Sequence, residues 1–320
     1  MKIITKLIYS GLAVVSLATG AVTANGALND LYASVNGAAN NGGGFIYQYT
    51  PAGVQSIFAS GLSRPRGVAF DHFGNLFVAT TTFDPNSGHF TGAILKIAPD
   101  GTQTTFADVN GPSDDFFLSG LAVDQSGNVY VMAQDGTIPD VAPSTIYKFV
   151  PDGGQTTFGS VAGQGFGLAF DSAGNLFAAD IVDATIYEFA PDGTQSVFVG
   201  PDGFPPDHGP VGLAFDRFGN LFVSSGDIVL KFTPDGIGST FATDLDSARG
   251  LAFDRAGNLF VAEIIQTGPG DIIKIAPNGT QTVFAPGIGP GGNGGPEYLA
   301  FQLLPAPRPR PLPHPRPPRP

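Results

Sequence analysis

Apolar and β-branched residues come along this chain in short runs, broken at regular intervals by turn-forming residues. Leu76-Phe77-Val78 and Ile94-Leu95-Lys96-Ile97 are typical runs, too short for helices and rich in residues that suit a pleated surface, so they predict β-strands. The breaks repeat as well. Asp-x-x-Gly-Asn begins at Asp71, Asp124, Asp171, Asp216 and Asp254, with Asp and Gly spaced for the first and fourth positions of a type I turn. A second break is Pro99-Asp100-Gly101, found again from Pro151, Pro191 and Pro234 and as Pro-Asn-Gly from Pro277. There proline presets φ and glycine relieves the exit. Ahead of each Asp-x-x-Gly-Asn stands a Gly-apolar-Ala-apolar-Asp string, opening at Gly67, Gly120, Gly167, Gly212 and Gly250.

These opening glycines lie 53, 47, 45 and 38 residues apart, the period of a four-stranded propeller blade. The repeat is out of phase with the ends. An N-terminal unit (Leu31-Tyr32-Ala33, Ile46 to Gly53, Val54 to Phe58) lacks its opening string, and Leu299-Ala300-Phe301 is that string standing alone. Five whole units and two complementary fragments make six, and the fragments join only if the chain closes into a ring. The predicted fold is therefore all-β: a six-bladed β-propeller of four-stranded blades, its first blade completed by a C-terminal strand. Ring closure removes two exposed sheet edges. Ala69, Ala122, Ala169, Ala214, Ala252 and Ala300 hold one place in every first strand, as expected where blades converge on the axis and room is least.

The ends divide the chain into three. Residues 1–24 read as an export signal, with Lys2 and Lys6, an apolar stretch from Leu7, and Val22-Thr23-Ala24 as the cleavage site. The propeller occupies 25–304. Residues 305–320, with nine prolines and four arginines, read as an extended tail without a core. A secreted, periplasmic or cell-envelope location follows, with no integral membrane segment after cleavage. With no cysteine, disulfides, thiolate metal sites and cysteine catalysis are excluded. Within the propeller nine basic residues face 27 acidic ones, leaving −18, which disfavours nucleic acid and anionic membranes.

Both turn types fall on one face of the disc. The other face collects irregular loops (Thr80 to Ala93, Ala107 to Ser119, Ala133 to Ser144, Val199 to Pro210, Ile264 to Asp271, Ala285 to Pro296), where function is expected. Second strands end on that face at Val35, Thr80, Ala133, Asp180, Ser225 and Glu263; first strands are preceded there by Glu297, Arg66, Ser119, Phe166, Val211 and Arg249. The charged members, Arg66, Asp180, Arg249, Glu263 and Glu297, form the candidate ligand-binding constellation at the channel mouth, or else pair among themselves as solvated ion pairs. The Asp-x-x-Gly-Asn strings lack the alternating oxygen ligands of a calcium loop. His72, His89, His208 and His314 are scattered, with no spacing for zinc. No nucleophile elbow or phosphate-binding glycine loop is present.

Strings such as Gly167-Leu168-Ala169-Phe170-Asp171, then Gly174-Asn175-Leu176-Phe177-Ala178-Ala179-Asp180 and Ile186-Tyr187-Glu188-Phe189-Ala190-Pro191-Asp192-Gly193, resemble NHL-repeat propellers of exported bacterial type. They are similar as well to gluconolactonase-like and strictosidine-synthase-like six-bladed propellers. The gluconolactonase resemblance implies one divalent metal held by a Glu before a first strand, an Asn before another and an Asp ending a second strand. Glu297 and Asp180 match two of these, and the Asn has no counterpart. The Pro-Asp-Gly-Thr-Gln strands resemble streptogramin lyases, whose paired histidines this chain lacks.

The expected function is an exported, non-enzymatic, monomeric binding propeller, without cofactor, that engages a protein, a glycan or a small ligand through its loop face. The alternative is a metal-dependent lactonase using calcium or magnesium, with Asp180 and Glu297 as ligands and Glu263 as base.

Overall fold

The computed structural model describes residues 29–37, 43–136, 143–265, 268–290 and 295–302. The segment expected to be an export signal and the Pro/Arg tail lie outside the described residues. Six antiparallel four-stranded sheets follow one another. Named from the innermost strand outwards, blade 1 is Pro296–Phe301, Leu31–Val35, Gly44–Tyr49 and Gln55–Leu62. Blade 2 is Val68–Phe70, Leu76–Phe83, Phe90–Ile97 and Gln103–Val109. Blade 3 is Phe116–Val123, Val129–Asp135, Ser144–Phe149 and Gln155–Val161. Blade 4 is Gly165–Phe170, Leu176–Asp180, Thr185–Phe189 and Gln195–Val199. Blade 5 is Leu213–Phe215, Leu221–Ser225, Ile228–Phe232 and Gly238–Ala242. Blade 6 is Ala248–Phe253, Leu259–Glu263, Gly270–Ile275 and Gln281–Ile288. Innermost strands touch in cyclic order, and the last closes on blade 2.

The C-terminal strand pairs with Leu31–Val35 from Leu31↔Phe301 to Val35↔Pro296. Closure also rebuilds the turn that the other blades make locally. In those, the Asp amide donates to the Asn carbonyl, as Asp71 does to Asn75 at 3.0 Å, and glycine takes a positive φ, +85° at Gly74. At the seam Gln302 replaces Asp, its amide reaching the Asp30 carbonyl at 3.4 Å, and Asn29 replaces glycine at φ +78°. Asparagine is among the few residues with a side chain that tolerate this region.

Neighbouring blades are held by one aromatic motif. The aromatic of each second strand meets the phenylalanine of its own outermost strand and that of the next blade's innermost strand. Phe177, for example, lies 5.0 Å from Phe198 and 4.9 Å from Phe215, edge to face. Phe260 meets Phe284 and Phe301 at 4.9 and 5.1 Å, so the closing strand uses the same joint. Such pairs contribute about 0.5–1.5 kcal/mol each beyond their burial. Only the joint from blade 2 to blade 3 is reduced, because Val123 stands where the others carry phenylalanine.

The six alanines sit opposite these rings: Ala69↔Phe77, Ala122↔Tyr130, Ala169↔Phe177, Ala214↔Phe222, Ala252↔Phe260 and Ala300↔Tyr32. Their small size is required by a large cross-strand partner. Convergence at the axis falls instead on the opening glycines. A Cβ on Gly167 would lie 2.4 Å from the Val211 carbonyl oxygen, and one on Gly212 2.1 Å from that of Arg249. No side chain fits there.

Candidate ligand-binding site on the loop face

On the turn face the repeated aspartates are fully engaged. Asp171 Oδ1 accepts from the amides of Ala173 and Asn175 at 2.9 and 2.8 Å, and Oδ2 from Asn175 Nδ2 at 3.0 Å. The other four cassettes repeat the Asn amide and side-chain bonds. These residues build turns.

On the loop face the five candidates separate into two groups. Asp180 and Glu263 end the second strands of blades 4 and 6 and are enclosed. Each reaches back to fasten the segment entering its blade. Asp180 accepts from the Gly163 amide at 2.7 Å and from the Asp183 amide at 3.2 Å, through different oxygens. Glu263 accepts from the Asp246 amide at 2.9 Å. Burial raises the Asp180 carboxyl above its usual range, against the amide bonds that oppose it. Burial likewise lifts Glu263 to about 7, opposed by the Asp246 amide and helped by the charges of Asp246 and Asp271.

The other three converge. Arg249, Glu297 and Arg66 precede or open the innermost strands of blades 6, 1 and 2, which are consecutive around the axis. Their charges all act on Tyr298, whose phenol is pushed up by burial, with both arginines opposing and Glu297 assisting. Tyr298 stands where the other five blades carry their opening glycine, and its backbone is held by Ser34 Oγ at 3.1 Å. Glu297 is enclosed and accepts from Asn36 Nδ2 at 3.0 Å. Among the described residues, neither arginine forms an ion pair, so the solvated pairs expected as the alternative do not occur there. Arg249 Nε and the Tyr298 hydroxyl are enclosed without a hydrogen-bond partner.

The periodic pattern singles out neither Tyr298 nor Asn36. The available signal was the missing glycine before Leu299-Ala300-Phe301.

Arg249 also opens onto a cleft of about 760 Å³ between blades 4, 5 and 6. Val182, Phe204, Asp207, His208 and Ser247 contribute to its walls. His208 is held: Nε2 lies 3.3 Å from Asp227 Oδ1, and Nδ1 lies 3.0 Å from the Pro206 carbonyl. Its ring packs over Gly226, where a Cβ would come within 2.0 Å of it. The loop 200–210 is thereby fastened to blade 5 and forms a fixed wall. Among the described residues no three His, Cys, Asp or Glu side chains cluster as metal ligands.

No protein-family model matches the sequence, and no curated protein does. Solved structures do match in shape. A catalytically inactive virginiamycin B lyase from Staphylococcus aureus, determined with quinupristin, is 14% identical over 86% of this chain and 93% of that one, with a TM-score of 0.57. A protein of unknown function from Bacteroides thetaiotaomicron is 13% identical over 86% and 85% of the two chains, TM-score 0.57. A gluconolactonase-like protein is 15% identical over 74% and 87%, TM-score 0.52. At these identities the likeness establishes one thing, that this chain shares the six-bladed β-propeller fold with them.

Proposed function

We propose that this protein is an exported binding propeller that holds a ligand in the loop-face cleft and the charged mouth beside it, without catalysing a reaction. The observation that carries this reading is the double membership of Arg249, which lines the cleft and belongs to the charge cluster around Tyr298. A concave site with a few converging polar groups is the usual form of a ligand site. A protein of the same fold was determined with quinupristin.

A divalent metal does not fit this donor set. Both Asp180 oxygens accept backbone amides, and Asp180 belongs to blade 4 while Glu297 belongs to blade 1, three blades away around a six-blade ring. A cation beside Glu297 would meet the charges of Arg66 and Arg249. Glu263, at about 7, has the proton affinity of a general base, but it is enclosed and bound to a backbone amide.

The test is an array of soluble glycans and peptides probed with the full chain and with Val182→Trp. Val182 is exposed on the cleft wall, so tryptophan there fills the cleft without entering the core. Signals shown by the parent and lost in the variant support the reading; equal signals, or none from either protein, overturn it. Calorimetric titration with calcium and magnesium should give no stoichiometric binding, and binding abolished by Asp180→Ala or Glu297→Ala would restore the lactonase.

A further inference from the structure

The mouth and the cleft carry opposite demands, and together they define a ligand class. At the mouth, Arg249 and Arg66 belong to the blades on either side of Glu297, a carboxylate already bound to Asn36. The local excess is positive inside a propeller whose net charge is −18. Arg249 leaves an enclosed Nε–H without an acceptor. An unsatisfied buried donor is costly, and the same guanidinium carries further N–H donors that an anion can use. The planar fork of arginine matches the two oxygens of a carboxylate.

The cleft beside it demands the reverse. Asp202 and Asp207 contribute to its lining, and His208 is already committed to Asp227 and Pro206. A wall bearing carboxylates repels an anion and accepts hydrogen bonds from hydroxyls. A ligand meeting both demands carries a carboxylate at one end and several hydroxyls along its body. The cleft volume, about 760 Å³, is within the range that encloses a ligand of drug size, which admits two sugar rings.

We propose that the site recognises an acidic saccharide, with a hexuronate carboxylate between Arg66 and Arg249 and the remaining hydroxyls along the cleft past Phe204 and Asp207. This rests on the binding reading above and names its ligand class. It also explains why Arg66 and Arg249 remain without ion pairs among the described residues of so acidic a protein: the ligand supplies the anion.

The experiment is calorimetric titration of the full chain with the sodium salt of a glucuronosyl-galactose disaccharide, which has one acidic and one neutral ring, with its methyl ester and with sodium acetate. The ester keeps the shape and hydroxyls and removes the charge. The glucuronosyl-galactose salt should bind one to one, and the ester and acetate at least about tenfold more weakly. Arg66→Gln and Arg249→Gln should each lose about tenfold or more, whereas Arg249→Lys, which keeps the charge but not the fork, should lose less. Melting curves of the variants should match the parent, since neither side chain belongs to the buried core. Equal binding of acid and ester, or unchanged binding by a folded Arg249→Gln, overturns the proposal. If acid and ester bind equally and Val182→Trp abolishes both, the binding reading survives and only the ligand class is wrong. If no saccharide binds and the array is also blank, both fail.

Discussion

The two faces of this propeller are built from one repeat and use it in opposite ways. On the turn face the Asp-x-x-Gly-Asn cassettes recur with the same internal bonds, Asp124 to Asn128 repeating what Asp71 makes with Asn75. On the loop face the blades diverge: the residue ahead of the opening glycine, or of Tyr298, is an arginine in two blades and a glutamate, a serine, a phenylalanine and a valine in the other four. Repetition here encodes the ring. Departure from repetition, as at Tyr298 in place of a glycine, marks the site. Two loop-face acids run against this division, because Asp180 and Glu263 depart from the repeat and yet fasten loops.

That division can be broken at several points. The largest effect should come from the seam. A chain ending before Glu297 lacks the innermost strand of blade 1, the Phe301 joint to Phe260 and the Gln302 turn, and should show no cooperative melt by circular dichroism. Removal of residues 305–320 alone should leave melting unchanged.

Next comes Glu263. Its folded pKa of about 7 lies above the ordinary 4.5, so between these values the native state holds a proton that the unfolded chain has lost. Its ionisation penalty is absent below about pH 4.5 and complete above about 7, and stability falls across that window by about 3 kcal/mol from this group. Glu263→Gln keeps an acceptor for the Asp246 amide and should be more stable than the parent at pH 8 and equal to it at pH 4 in urea denaturation. A constant difference at both pH values would contradict the assigned cause.

Gly167→Ala forces a methyl group against the Val211 carbonyl and should cost about 1–3 kcal/mol. Gly200→Ala, with nothing within 4 Å of the added carbon, should be neutral. Asp171→Ala removes three hydrogen bonds from one turn and should cost about 1–2 kcal/mol, without affecting ligand binding.

Much of this architecture was legible in the string because turns and strands are local. Asp71, Gly74 and Pro99 state their conformations through their own chemistry, and the split unit at the ends could close only one way. The role of the alanines was not legible, because register decides that Ala169 faces Phe177. The site was half legible. Position on the repeat placed Arg66, Arg249 and Glu297 at the mouth. That Asp180 and Glu263 would turn towards the amides of Gly163 and Asp246 depends on loop paths that no periodic pattern carries.

The central claim is that stability resides in the repeat and recognition in the departures from it. It is tested most directly by measuring melting temperature and affinity for the glucuronosyl-galactose salt on the same four proteins: Gly167→Ala, Asp171→Ala, Val182→Trp and Arg249→Gln. The first two should melt lower and bind like the parent; the last two should melt like the parent and bind at least about tenfold more weakly. A turn-face or ring variant that loses binding while keeping its melting temperature would contradict the account, as would loop-face variants whose binding and stability fall together.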